Sequence, residues 1–291
     1  LKITQNVVEK TLGMTDLPLL SEPNLQQQLV EIGYQGKKLE ELEGLSATEK
    51  ANMLFIVQDP YTSYYDAKVV RDFVALTQKL GFSPILLPFK PNGKAMHIKG
   101  FLTRFSKTAK TQAEFLNRVA KLNVPLVGVD PAIVLSYRDE YKEALGDSRG
   151  DFHVLTAHEW LTNQLEGNAL QSAVKNIVKS DRTFEWHLFP HCTESTFMPN
   201  SPKEWQYIFA QFGQTLNVEK VGCCGMAGVF GHEVQNQTMS KDIYDVSWGK
   251  KLQGKDPNHC LATGYSCRSQ VKRYEKAILK HPVQALLEIL N

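Results

Sequence analysis

Residues 1–191 contain no cysteine; all five cysteines follow, at Cys192, Cys223, Cys224, Cys260 and Cys267. That excludes any disulfide or thiolate site over the N-terminal stretch, and the odd count argues against a simple disulfide framework. The sequence has no apolar run near the roughly 18 residues of a membrane span, so no membrane span is expected. It has no glycine-rich dinucleotide fingerprint and no Cys-x-x-Cys-x-x-Cys run. It has little charge imbalance: 33 Lys and Arg against 31 Asp and Glu, net +2. No nucleic-acid partner is expected of such a balance. Leu1-Lys2-Ile3-Thr4 is neither a signal peptide nor a natural start, which predicts a segment of a longer protein in a reducing compartment.

What is present is a soluble composition, 42% hydrophobic and 22% charged, over 291 residues, enough for about two lobes. Residues 1–50 are polar and punctuated and read as a linker with an outer helix around Lys37 to Glu43. From Met53 the pattern turns α/β. Met53-Leu54-Phe55-Ile56-Val57, Pro84 to Pro88 and Pro125 to Val129 are short apolar runs, the mark of strands buried on both faces. Helical spacing fills Ala67 to Leu80 and Thr111 to Leu122, and Asp130-Pro131 opens a helix running towards Tyr141. The second half repeats the plan: strands at Trp186 to Phe189, Glu219 to Gly222 and Cys260 to Thr263, helices at Pro202 to Phe212 and Ser269 to Leu279. Strand and helix alternating at this spacing predict parallel sheets.

The halves align at their loops. Asp59 follows the first strand of one half as Cys192 follows that of the other. Asp59 to Pro91 and Cys192 to Cys224 are equally spaced, and Asp130-Pro131-Ala132 matches Gly264 to Cys267 within two residues. The expectation is an α/β fold of two similar lobes, 51–150 and 151–291, related by internal duplication, the first lobe without cysteine. Asp59, Asp130, Arg138, Asp139 and Glu140 then occupy the first lobe's counterpart of the site. The stretch Lys90 to Lys110, basic with Phe101 and Phe105 interleaved, reads as a solvated face.

Cys192, Cys223, Cys224 and Cys267 each lie just past an expected strand. Loops at the carboxyl ends of parallel strands converge on one crevice, so these four can meet. Four thiolates suit an iron–sulfur cluster or a closed zinc site. A buried cysteine can equally be a small hydrophobe. Cys260, inside a strand, is either ligand or packing residue, and His191 is either ligand or simply hydrogen-bonded. His232-Glu233 reads as an acid–base pair or a helix start. Gly225 and Gly228 let backbone amides approach sulfur and are the expected cofactor-binding positions.

Cys192, Cys223-Cys224-Gly225, Cys260 and Cys267 together resemble the CCG cysteine-rich domain of heterodisulfide reductase B and glycolate oxidase iron–sulfur subunits. The strings Pro190 to Glu194, Gly222 to Gly228 and Ala262 to Gln270 resemble most the C-terminal region of fused FAD-linked dehydrogenases of the D-2-hydroxyglutarate type. The resemblance implies an iron–sulfur electron-transfer module of the 4Fe–4S type, relaying electrons from flavin to an acceptor and not catalytic alone, with metal ligands Cys192, Cys223, Cys224, Cys267 and Cys260. It places FAD only upstream, makes upstream FAD and ferredoxin-like domains of the same polypeptide the partners, and puts the protein in the cytoplasm, or at a membrane periphery through its acceptor. The alternatives are a structural zinc module, zinc also being what an isolated fragment can carry, and a thiol–disulfide redox domain. The sequence departs from the pattern at Gly264, which stands where heterodisulfide-reductase-like members begin a Cys-x-x-Cys, and in the cysteine-free first half.

Overall fold

Met53, Leu54, Phe55 and Ile56 are all buried, so their strand has core on both faces. The structure, a computed structural model, describes residues 13–167, 170, 171, 174 and 183–291; the expected reading of Leu1 to Thr4, and of the linker as far as residue 12, lies outside them. The chain enters through helix α1 (Leu25–Glu31), whose cap Asn24 accepts the amide of Gln27 while Gln27 accepts the amide of Asn24. Then come β1 (Met53–Ile56), α2 (Ala67–Lys79), β2 (Ser83–Leu86), α3 (Leu102–Ala120), β3 (Leu126–Gly128), α4 (Pro131–Arg138), β4 (Val154–Thr156) and α5 (Ala157–Glu166). The second half holds β5 (Glu185–Phe189), α6 (Cys192–Phe197), α7 (Ser201–Gln211), β6 (Thr215–Val218), α8 (Gln237–Tyr244), β7 (Cys260–Ala262), α9 (Tyr265–Glu275) and α10 (Pro282–Ile289).

These strands form two sheets, β2-β1-β3-β4 and β6-β5-β7, with every pairing parallel. The two parallel-sheet α/β regions expected from the sequence are therefore present. In each, the first strand is flanked by the second on one side and the third on the other. Strand alternation sorts side chains into three cores. Leu54 and Ile56 of β1 share a central core with Trp186 and Leu188 of β5 and Leu261 of β7. Phe55, Ile85, Leu126 and Val154 face an outer core against α3. Phe189, Cys260 and Ala262 face the other outer core with Cys224, Cys267, Tyr244 and Trp248. The central core joins the lobes into one body, reinforced where Gln284 of α10 donates to Asp72 of α2 at 2.7 Å.

Several elements differ from the sequence reading. The stretch around Lys37 to Glu43 is a single tight turn, Leu39–Leu42, anchored by fully buried Leu42. Helix α3 starts at Leu102, not Thr111, because Phe105 and Ala109 extend its buried stripe through a lysine-rich face. The second strand of the second half is Thr215–Val218 rather than 219–222; polar Thr215 and Asn217 alternate with Leu216 and Val218 and mask it. Helix α9 begins at Tyr265 rather than Ser269. Strand β4, three residues long, was not anticipated; it pairs with β3, so the first sheet continues past residue 150. Among the described residues no helix is long and apolar enough to cross a membrane.

Candidate functional site

The carboxyl ends of β1 and β3 face those of β5 and β7, and the loops leaving them meet at the seam between lobes. Asp130, following β3, caps α4 by accepting the amides of Ala132 and Ile133 through Oδ1. Its Oδ2 accepts the amide of Tyr265, the first residue of α9, at 2.9 Å. Gly264 has no side chain to cap α9, so the first lobe supplies the cap for the second. Asp59, following β1, accepts the amides of Tyr61 and Thr62 and the hydroxyl of Thr62. Burial, reinforced by the Asp130 charge, raises the Asp59 pKa to about 7. Tyr61 stacks on Tyr265 with centroids 5.3 Å apart and planes 6° from parallel. Arg268, one turn along α9, donates to Asp66 across the seam at 2.9 Å.

On the second lobe, His191 caps α6: its Nδ1 accepts the amide of Thr193 at 3.2 Å, and its own amide donates to Thr263 Oγ1 at 2.9 Å. Burial lowers its pKa, so the ring is held neutral. It is a capping residue that cannot give Nδ1 to a metal without losing that role. Glu194 beneath it is fully buried and accepts hydroxyls from Ser201 and Thr263; burial raises its pKa. Gly264 has a steric reason: a Cβ there would stand 2.3 Å from His191 Cδ2. The imidazole fills the space that a side chain at 264 would need.

The structure brings Cys192, Cys223, Cys224 and Cys267 into one neighbourhood. The thiols of Cys192 and Cys224 donate to Cys223, whose amide neighbour Gly225 also donates at 3.3 Å. These bonds, Cys192 first, depress the Cys223 pKa. The same bond raises that of Cys192, with burial second. Cys224 is raised by its bonds to Cys223 and Cys267 and then by burial. Cys260 is apart: its charged neighbours are Lys255, Glu219 and Asp256, and burial pushes its thiol up to about 11. Gly225 and Gly228 serve the turn after the vicinal pair. Gly225 has φ +83° and a Cβ there would lie 2.2 Å from the Ser240 carbonyl oxygen; at Gly228 it would meet Ile98 at 2.8 Å.

This arrangement corrects the metal expectation. Among the described residues no group of three or more His, Cys, Asp or Glu is disposed to hold a metal ion. A ligand shell needs donors aimed at one point, with sulfur roughly 2.3 Å from zinc. Here the thiols interact in a row, Cys192 with Cys223, Cys223 with Cys224 and Cys224 with Cys267. The residues therefore do not fit an iron–sulfur cluster or a zinc ion, and neither the electron relay nor the structural zinc module stands. All five cysteines are free, so the thiol–disulfide alternative has no bond behind it. The CCG resemblance is corrected with them, since the cysteine arrangement which that domain requires is not formed. As for the two readings of His232-Glu233, Glu233 stands at the start of a short helical turn, Val234–Asn236, and pairs with Lys99, while His232 bonds Thr15 O through Nδ1 at 3.1 Å. Sequence reasoning missed Tyr61, Tyr265 and Arg268, whose roles depend on the opposite lobe.

No family model matches the chain. A D-2-hydroxyglutarate dehydrogenase of Haemophilus influenzae is 82% identical over 291 residues, 100% of this chain and 28% of that protein. The chain is a close homologue of one stretch of such dehydrogenases. A D-2-hydroxyglutarate dehydrogenase of Escherichia coli is 56% identical over 289 residues, 99% of the chain and 28% of that protein. One of Pantoea ananatis is 54% identical over 279 residues, 96% of the chain and 26% of that protein. The chain thus spans about a quarter of the length of these curated relatives. The dehydrogenase homology makes it an oxidoreductase-related chain and agrees with the expected likeness to that type, while the metal chemistry expected alongside it is not supported.

Proposed function

We propose that this chain is a two-lobed, non-catalytic region of an FAD-linked dehydrogenase that oxidises a D-2-hydroxyacid of the hydroxyglutarate type. The observation that carries this reading is the 82% identity across all 291 residues, matched to only 28% of the Haemophilus influenzae protein. The lack of a dinucleotide fingerprint supports a region that leaves the flavin chemistry to other parts of the polypeptide. Its partners are the flavin-bearing and ferredoxin-like regions of that same polypeptide, in the cytoplasm. The seam described above makes it a preassembled unit: one continuous core and the Asp130, Arg268 and Gln284 bridges hold both lobes together.

We infer further that the lobes arose by duplication. In support, the strand orders 2-1-3 and 6-5-7 correspond. Asp59 and Cys192 each lie three residues beyond their strand, and Asp130 and Gly264 both stand at the N-cap position of the helix after the third strand of their lobe.

The test compares oxidation of D-2-hydroxyglutarate, with a dye as acceptor, by the intact polypeptide and by the isolated chain. The intact polypeptide is expected to turn over and the isolated chain is not. Turnover by the isolated chain, or an intact polypeptide inert towards D-2-hydroxyacids, overturns the reading.

A further inference from the structure

The segment around residues 14–19, the start of α2 and the outer side of α9 enclose a cavity of about 760 Å³. Small-molecule sites commonly fall at roughly 300–1,000 Å³. Six cations line it, against only two carboxylates, Asp16 and Asp66. Both carboxylates are engaged: Asp66 accepts from Arg268 and Asp16 from Arg273, each at 2.9 Å. Lys68 and Lys272 have no hydrogen-bond or ion-pair partner among the described residues. Among the described residues the cavity lining therefore carries a surplus of positive charge, even with Lys280 paired to Glu288.

Arg268 gives that surplus a focus. Its side chain is only 5% exposed. Nε donates to Asp66 and Nη1 to the carbonyls of Ala262 and Thr263, yet buried Nη2 has no partner. A buried donor left unpaired is costly, and unpaired buried groups are uncommon in native proteins. A guanidinium held through Nε and Nη1, with the Nη2 donor left over, suits a planar or tetrahedral oxyanion. Part of the wall is apolar: Leu17, Leu19 and Ile278 line the cavity and are 43%, 73% and 74% exposed, beside Tyr65 and Tyr265.

We propose that this cavity binds a small oxyanion, a carboxylate or phosphate on a short apolar body, held by Arg268, Lys68 and Lys272. The oxyanion supplies the acceptor that Nη2 lacks, the two lysines neutralise it, and the leucine and isoleucine side chains cover the body. Arg268 also serves the seam through Asp66, whereas Lys68 and Lys272 take no part in it; the inference does not rest on the reading of the chain as a dehydrogenase region.

The experiment is hydrogen–deuterium exchange on the intact polypeptide with glutarate, with inorganic phosphate, and with phosphatidylglycerol vesicles. Glutarate or phosphate should slow exchange in residues 13–20 and 265–281, half-saturating at about 0.1–1 mM and more weakly as salt rises. Lys68→Gln with Lys272→Gln should raise the half-saturating concentration about tenfold, a loss of about 1.4 kcal/mol. Arg268→Lys should weaken protection even though the Asp66 pair can be kept. No protection of these segments by either anion at about 10 mM overturns the proposal. So does protection unchanged in the lysine double variant, or protection by vesicles alone, which would mark a lipid surface instead.

Discussion

The carboxylate of Asp130 and the backbone amide of Tyr265 lie 135 residues apart in sequence and 2.9 Å apart in the folded chain. Through that contact one buried side chain caps α4 in its own lobe and α9 in the other. Capping contacts are each worth roughly 1 kcal/mol, up to about 2. Asp130→Ala should therefore lower the unfolding free energy by about 2–4 kcal/mol, read from urea melts. A loss no larger than that of a single surface cap would mean that the inter-lobe contact contributes nothing.

The pH dependence of Asp59 has a definite sign. Its pKa is raised by burial and then by Asp130 to about 7, above the ordinary unfolded value near 4. Between those values the folded chain holds a proton that the unfolded chain has lost. Its contribution to stability is thus full below pH ~4 and is lost as pH rises towards about 7, by at most about 4 kcal/mol. Buried His158, His191 and His281, lowered by burial, act oppositely and weaken the fold in acid. The difference between wild type and Asp59→Asn cancels them. The variant should gain relative stability as pH rises from 5 to 8; a flat difference curve counts against the raised pKa.

Gly264→Cys restores the first position of the motif that the sequence departs from, and it should destabilise the protein. The His191 ring occupies the site of the new Cβ. Overpacking of this kind costs typically 1–3 kcal/mol. Because the clash has one source, His191→Ala should relieve part of it in a double-mutant cycle. Strict additivity of the two substitutions would show that the ring is not the obstacle.

Gly225→Ala meets two obstacles at once, a positive φ and the Ser240 carbonyl oxygen 2.2 Å from the new Cβ. A loss above about 2 kcal/mol is expected, visible in thermal melts. A neutral substitution would require the 223–228 turn to be plastic.

Among the thiols, Cys223 is partly exposed and its pKa is depressed, whereas Cys260 is buried and pushed up to about 11. Alkylation depends on the thiolate. Brief iodoacetamide treatment near pH 6, mapped by mass spectrometry, should label Cys223 well before Cys260. The reverse order would contradict the thiol bonds made to Cys223 by Cys192 and Cys224.

Much of the framework was legible because local pattern and burial agree. Strands β1, β3 and β7 are apolar runs buried on both faces, β5 ends in buried Leu188 and Phe189, and Asp130-Pro131 is a cap followed by proline at the first helical turn. Strand β4 was not legible at three residues, nor β6, where polar residues alternate with apolar ones. The basic stretch before Thr111 concealed half of α3, since a solvated lysine face and a buried Phe105 stripe coexist on one helix.

By itself the sequence determined two parallel α/β regions, a cysteine-free first half and loops that bring Cys192, Cys223, Cys224 and Cys267 towards one crevice. Whether those thiols surround a common point was decided only by tertiary structure, because ligation depends on side-chain direction to within an ångström, which residue spacing does not encode. There the free thiols interact pairwise with one another, and no described group is set to hold a metal. The tertiary structure also set His191 against Gly264, Asp130 beneath Tyr265 and Arg268 beside Asp66. Each joins segments with no local relation, and only the packing of two sheets on one central core makes them neighbours.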